Sequence, residues 1–167
     1  MVEVRAAAVA GHFYPNEASA LRAAVRRHLA EAGPATQQPP KALIAPHAGY
    51  VYSGPIAGSA YARILALRGR VRRVVLLGPA HRVFVRGLAA PAAEVFETPL
   101  GDVPIDLEAV EQIRALPQVV VSSEAHALEH SLEVQLPFLQ EALGAFTLVP
   151  LVVGDATAKQ VAEVLEQ

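Results

Sequence analysis

The sequence predicts an α/β fold with a largely parallel central sheet and flanking helices. Three observations carry this. Apolar segments of strand length alternate with segments of helical periodicity along the chain. The strand-like segments are near-continuous in apolar residues, as in Val74–Leu77, rather than alternating. Histidines follow two of those segments directly, at the carboxyl ends where open parallel sheets bind ligands.

The elements follow in order. Val2–Ala10 reads as a first strand closed by Gly11. Asn16 is placed to cap a helix from Glu17 to Ala32, with Leu21, Val25 and Leu29 on one stripe. The polar stretch from Gly33 to Pro40 ends it as a linker. Lys41–Pro46 is a short apolar strand, and Pro55 suits the first turn of a helix reaching Leu67. Arg72–Leu77 is the clearest buried strand and stops at Gly78–Pro79. Residues 81–104 hold β-like fragments that suit a hairpin. Asp106 can cap a helix to Leu116, and Val119–Ser122 is another strand. Ser131–Leu143 reads as one helix kinked by Pro137. Phe146–Val153 is the last strand, and Thr157 caps a terminal helix. The length, 167 residues, suits one domain with a proper core.

Composition narrows the function classes. At 53% hydrophobic the chain suits buried strands, yet no apolar run is long enough to cross a bilayer. The first residues make a poor signal peptide, so a cytoplasmic location is expected. Net charge is −2 and the arginines are scattered, with adjacent pairs only at Arg26–Arg27 and Arg72–Arg73, which excludes a nucleic-acid footprint. Without cysteine, any transition metal must be held by His, Asp or Glu. No phosphate-binding GxxxxGK[ST], dinucleotide GxGxxG after the first strand, GxSxG elbow or HExxH motif is present.

Candidate chemistry gathers in four segments. In Ala45–Gly54, APHAGYVYSG, His47 follows a strand and Gly49 frees the backbone to turn beside it. His47 is a metal ligand or acid/base there, or a cap of the next helix. In Leu76–His81, LLGPAH, the pattern repeats, which sets two histidines on one rim of the sheet. In Ser122–Phe138, His126, Glu129, His130, Glu133 and Gln135 crowd a loop and a helix start. A carboxylate there can orient a histidine or complete a metal shell. A solvated, capped helix N-terminus accounts for the same residues equally well. In GHFYP, His12 sits among aromatics, as a packed histidine or a substrate contact. The FETPLGD segment is explained by its turn alone.

The segments GHFYP, PHAGYVYSG, LGPAH and EHSLEVQLPF, in this order, resemble the MEMO family, whose bacterial and archaeal members include the AmmeMemoRadiSam system protein B. That resemblance spans nearly the whole chain. It implies a fold similar to class III extradiol dioxygenases, which cleave catechol-type rings with O₂ at a non-haem Fe(II) held by two histidines and a carboxylate. The resemblance makes His47 and His81 the metal-facing pair. It sets His130 and Glu129 nearby as acid/base candidates, with Tyr50, Tyr52, His12 and Glu133 toward substrate. The implied cofactor is a divalent transition metal, Fe(II) first and Cu or Zn otherwise. Implied partners are a small-molecule substrate or a peptide, together with AMMECR1-like and radical-SAM proteins. A non-catalytic metal- or peptide-binding module is the alternative. Family members are longer, with a C-terminal Ser-Ser-Asp…His segment and a further residue, often Cys, completing the pocket. Residues 1–167 are therefore expected to form one α/β domain incomplete at its C-terminus, with an uncovered sheet edge that invites homo-oligomers.

Overall fold

The computed structural model describes residues 2–33 and 38–167. Residues 34–37 of the expected linker lie outside the described residues. The main sheet has four strands in the order β2 (Arg73–Pro79), β7 (Thr147–Val153), β3 (Leu88–Ala90) and β6 (Val119–Val121). β2 runs parallel to β7 over seven residue pairs, β3 is antiparallel to β7, and β3 is parallel to β6. A second sheet joins β1 (Val4–Arg5), β4 (Val95–Phe96) and β5 (Val103–Pro104), parallel then antiparallel. The fold is thus α/β, with mixed ladders shared between two sheets rather than one central sheet.

Helix α1 (Ala18–Glu31) buries the predicted stripe Leu21, Val25 and Leu29 against the core. Its cap is Glu17, not Asn16: the Glu17 carboxylate accepts the amides of Ser19 and Ala20 at 2.9 and 2.8 Å. Helix α2 (Tyr50–Tyr61) starts five residues earlier than Pro55 suggests, so the proline lies inside it, and a 3₁₀ segment continues to Leu67. α1 and α2 approach closely because Gly54 and Gly58 leave room for His28. A Cβ on Gly58 would stand 2.4 Å from the His28 carbonyl oxygen.

Helix α3 (Leu107–Ile113) is capped by Asp106, and α7 (Ala158–Leu165) by Thr157 in a reciprocal box with Gln160. The predicted loop at 123–130 folds into α4 (Ser123–Ala127). The single helix expected from Ser131 splits into α5 (His130–Glu133) and α6 (Leu136–Leu143), with Pro137 opening the second. The hairpin expected in 81–104 is divided: β4 turns onto β5, whereas β3 joins the main sheet.

Three strand expectations fail in whole or in part. Of the first strand only Val4–Arg5 enters a ladder, and Ala10 makes an isolated bridge to Tyr14. Lys41–Pro46 forms no ladder at all, since no strand among the described residues lies against it. β2, which the sequence marks as the clearest buried strand, is an edge strand among the described residues, with Val75 45% exposed. The core is formed by Leu21, Val25, Leu88, Leu136, Phe138, Leu148 and Leu151 with their neighbours. Among the described residues, no helix is long and apolar enough to cross a membrane.

Candidate metal centre

Three imidazoles meet at one end of the main sheet. His47 comes from the turn before α2, His81 from the turn after β2, and His130 opens α5. Their ring centroids are 5.2 Å (47–81), 5.9 Å (47–130) and 4.6 Å (81–130) apart. One ring nitrogen from each lies within 4.8 Å of the others, so the three can hold one metal ion. His47 and His81 thus share a hollow, as their matching places after two apolar segments imply. His130, read as an acid/base beside the site, stands in the same cluster.

The segment Glu129–Gln135 builds this place, each polar side chain tying to a different part of the fold. Glu129 is 2% exposed and stands behind His81. Its Oε1 lies 2.8 Å from His81 Nδ1 and accepts the Ser131 amide at 2.9 Å, while Oε2 accepts the His81 amide at 2.6 Å. With Nδ1–H donated to the carboxylate, His81 is left with Nε2 free to face an ion. Burial alone would raise the Glu129 pKa, but the His81 and Ser131 donors outweigh it and bring it to about 2. The carboxylate is therefore ionised at any ordinary pH, and its oxygens are occupied by these donors.

Ser131 donates from Oγ to the Pro79 carbonyl at 3.0 Å, clamping α5 onto the end of β2. Gly78 permits this, for a Cβ there would lie 2.6 Å from Ser131 Oγ. Gln135 donates to the Pro46 carbonyl at 3.1 Å and accepts the Tyr61 hydroxyl at 2.7 Å, fixing the turn that carries His47. Gly49 has an ordinary φ of −59°, so it is not there for an unusual turn. Its place is explained by Phe13, whose carbonyl oxygen would lie 3.4 Å from a Cβ.

Electrostatics leave the cluster ready for a cation. Burial first, and then His81, push the His47 imidazole below its ordinary pKa. Burial does the same at His130, opposed by Glu129 and helped by His81, His47 and Arg82. His130 Nδ1 is buried without a hydrogen bond, 3.5 Å from Glu129 Oε1. Neutral imidazole is the form that binds metals.

The four residues expected at substrate are dispersed. Glu133 is fully buried and is a structural anchor instead. It accepts from Arg5 Nη1, from the Ala8 and Val9 amides at 2.9 and 3.0 Å, and from the Tyr14 hydroxyl at 2.5 Å. Tyr50 is 5% exposed and donates its hydroxyl to the Val134 carbonyl at 2.8 Å, within the core. Its place in the first turn of α2 turns it inward. His12 lies exposed on the turn after Val9, whereas its neighbour Phe13 packs on His130 at 4.7 Å between centroids. Tyr52 alone lines the large cavity beside the histidines, 85% exposed. Sequence reasoning missed the anchoring by Gln135, although its place in the EHSLEVQLPF segment was the available signal.

A family model described as Memo-like protein matches residues 5–167. The chain is 42% identical over 153 residues to a MEMO1 family protein of Aquifex aeolicus, covering 91% of this chain and 55% of that protein. It is 40% identical over 174 residues to one of Methanopyrus kandleri, covering 96% and 61%. With one of Ignicoccus hospitalis it shares 39% identity over 160 residues, covering 89% and 56%. The chain thus spans little more than half the length of the curated relatives it matches. Its histidine cluster and the Glu129–Gln135 segment that positions it are carried on a chain that belongs to the Memo-like family.

Proposed function

We propose that this chain is a metal-binding domain of the cytoplasm. His47, His81 and His130 bind one divalent transition ion, Fe(II) first. The observation that carries this is the convergence of three imidazoles, with an ionised carboxylate behind His81. Imidazole donors suit iron, copper and zinc alike. The ion, when bound, supplies Lewis acidity and, for iron or copper, one-electron chemistry.

The chain's own residues do the rest. Glu129 fixes the His81 tautomer and is a positioning residue, not a proton donor to substrate. Phe13 covers His130 from one side. Tyr52 is the hydroxyl best placed to meet a ligand entering the cavity. In this reading His130 is a ligand and not a free acid/base, which replaces the two-histidine, one-carboxylate arrangement by three histidines. An oxygen-dependent reaction on a small aromatic substrate, and cooperation with AMMECR1-like and radical-SAM proteins, are the wider activity we assign to the complete protein.

Anaerobic titration of purified protein with Fe(II), and separately with Zn(II), should reach one ion per chain. The double variant His47→Ala/His81→Ala should bind none. Stoichiometric metal retained by that variant would defeat the assignment. Oxygen uptake with catechol by the iron-loaded protein separates an oxidoreductase from a module that only binds.

A further inference from the structure

Behind the histidine cluster lies a buried arginine. Arg5 ends β1 and is 6% exposed. Its guanidinium reaches the segment that carries Glu129 and His130, more than a hundred residues further along the chain. Nε donates to the His126 carbonyl at 3.0 Å, and Nη2 donates to the Glu129 carbonyl at 2.8 Å. Nη1 meets the Glu133 carboxylate. The Phe96 ring lies against the guanidinium, with Cζ 5.3 Å from the ring centroid.

The choice of acceptors goes beyond neutralising a buried charge. Glu133 needs a cation, and one guanidinium nitrogen supplies it. The other two donors go to backbone. The His126 carbonyl closes α4 and already accepts the Leu128 amide, and Glu129 is the cap of α5. The two carbonyls therefore bracket Ala127 and Leu128, where the chain breaks from one helix into the next. A planar fork with fixed donor directions holds both sides of that break at once, which a single ammonium on a flexible stem does not.

Glu129 and His130 grow from that break. The Glu129 carbonyl is held by Arg5, while its carboxylate holds His81 Nδ1 and the amides of His81 and Ser131. A rotation of the backbone there would carry the carboxylate off His81 and swing the His130 imidazole with it. Arg5 itself bonds to none of the three clustered imidazoles.

We infer that Arg5 is a positioning residue for the metal centre. Its fork fixes the α4–α5 break, which aims Glu129 at His81 and sets His130 within reach of the same ion. This rests on the metal-binding reading of the cluster.

Arg5→Lys keeps the positive charge that Glu133 requires and removes the fork. Calorimetric titration of the whole chain gives Zn(II) affinity, and visible absorption of the Co(II)-loaded protein reports ligand geometry. Arg5→Lys is expected to bind one Zn(II) about tenfold more weakly and to shift the Co(II) bands. In a Glu129→Gln background the same lysine should change affinity by no more than about threefold, since the group through which Arg5 acts is already lost. Val110→Ala, a core change on α3, is the control for lost stability and should leave affinity and spectrum unchanged. Should Arg5→Lys fail to fold, the Arg5 Nε–H resonance of the unsubstituted protein decides, and it should shift when Zn(II) is added. An unsubstituted protein that binds no Zn(II) would remove the metal-binding reading and this inference with it. A one-ion site that Arg5→Lys leaves unchanged in affinity and spectrum would overturn the inference alone. So would a tenfold loss that persists beside Glu129→Gln, an equal loss in Val110→Ala, or, where the lysine variant does not fold, an unmoved Nε–H resonance.

Discussion

Glu129 faces His81 Nδ1 and two backbone amides, His81 and Ser131, with only two oxygens. Glutamine cannot serve all three. If its carbonyl takes the Oε1 position, its amide nitrogen confronts the His81 N–H. Glu129→Gln should therefore lower affinity for Zn(II) by roughly 10–100-fold, measured by calorimetric titration. An unchanged affinity would mean that His81 is held by its turn alone. His126 provides a second test at this scale. Buried on α4, it donates Nε2–H to the Ala89 carbonyl at 2.9 Å, its Nδ1 has no partner, and burial brings its pKa down to about 4. The folded pKa is below the unfolded value near 6.5. Unfolded chains thus take up the proton first, and stability is lost as pH falls from 6.5 toward 4. By pH 5 this group alone should cost about 2 kcal/mol. Urea unfolding at pH 7 and pH 5 should show that loss, and His126→Gln should reduce it.

At the scale of elements, the α1–α2 contact separates two effects of opposite sign. Helix propensity alone makes Gly→Ala in a helix interior favourable by up to about 1 kcal/mol. At Gly58 a methyl group would press on the His28 backbone, and neither helix can yield without moving the other. Gly58→Ala should destabilise by about 1–3 kcal/mol, seen as a lower urea midpoint. A rise would show that the helices separate easily. Helices were the legible part of this sequence because their signals are local. The stripe of Leu21, Val25 and Leu29 and the caps at Asp106 and Thr157 each lie within a few residues of what they determine. Strands were less legible because a strand exists only through a partner distant in sequence. Among the described residues Lys41–Pro46 has the composition of a strand and no partner strand, and β2 has the composition of an interior strand at an edge. The candidate site was legible for a related reason. Histidines placed after apolar segments mark a sheet rim whatever the ladder details. Which of Glu129, His130 and Glu133 would face the rim was hidden, since the break between α5 and α6 sets their directions.

At the scale of the whole molecule, positions 47, 81 and 130 are far apart along the chain, and each belongs to a different stretch of backbone. An ion gripping all three closes two long loops at once, and only the folded chain offers it that grip. Occupancy is then coupled to folding. At a free metal concentration a hundred times Kd, the folded state gains about 2.7 kcal/mol. For a chain of this size that corresponds to a rise in Tm of roughly 5–10 °C, which a chelator should reverse. His81→Ala should melt at the same temperature with and without metal. The scarcity or abundance of one inorganic nutrient would in this way reach beyond chemistry, deciding how long each copy survives proteases and heat.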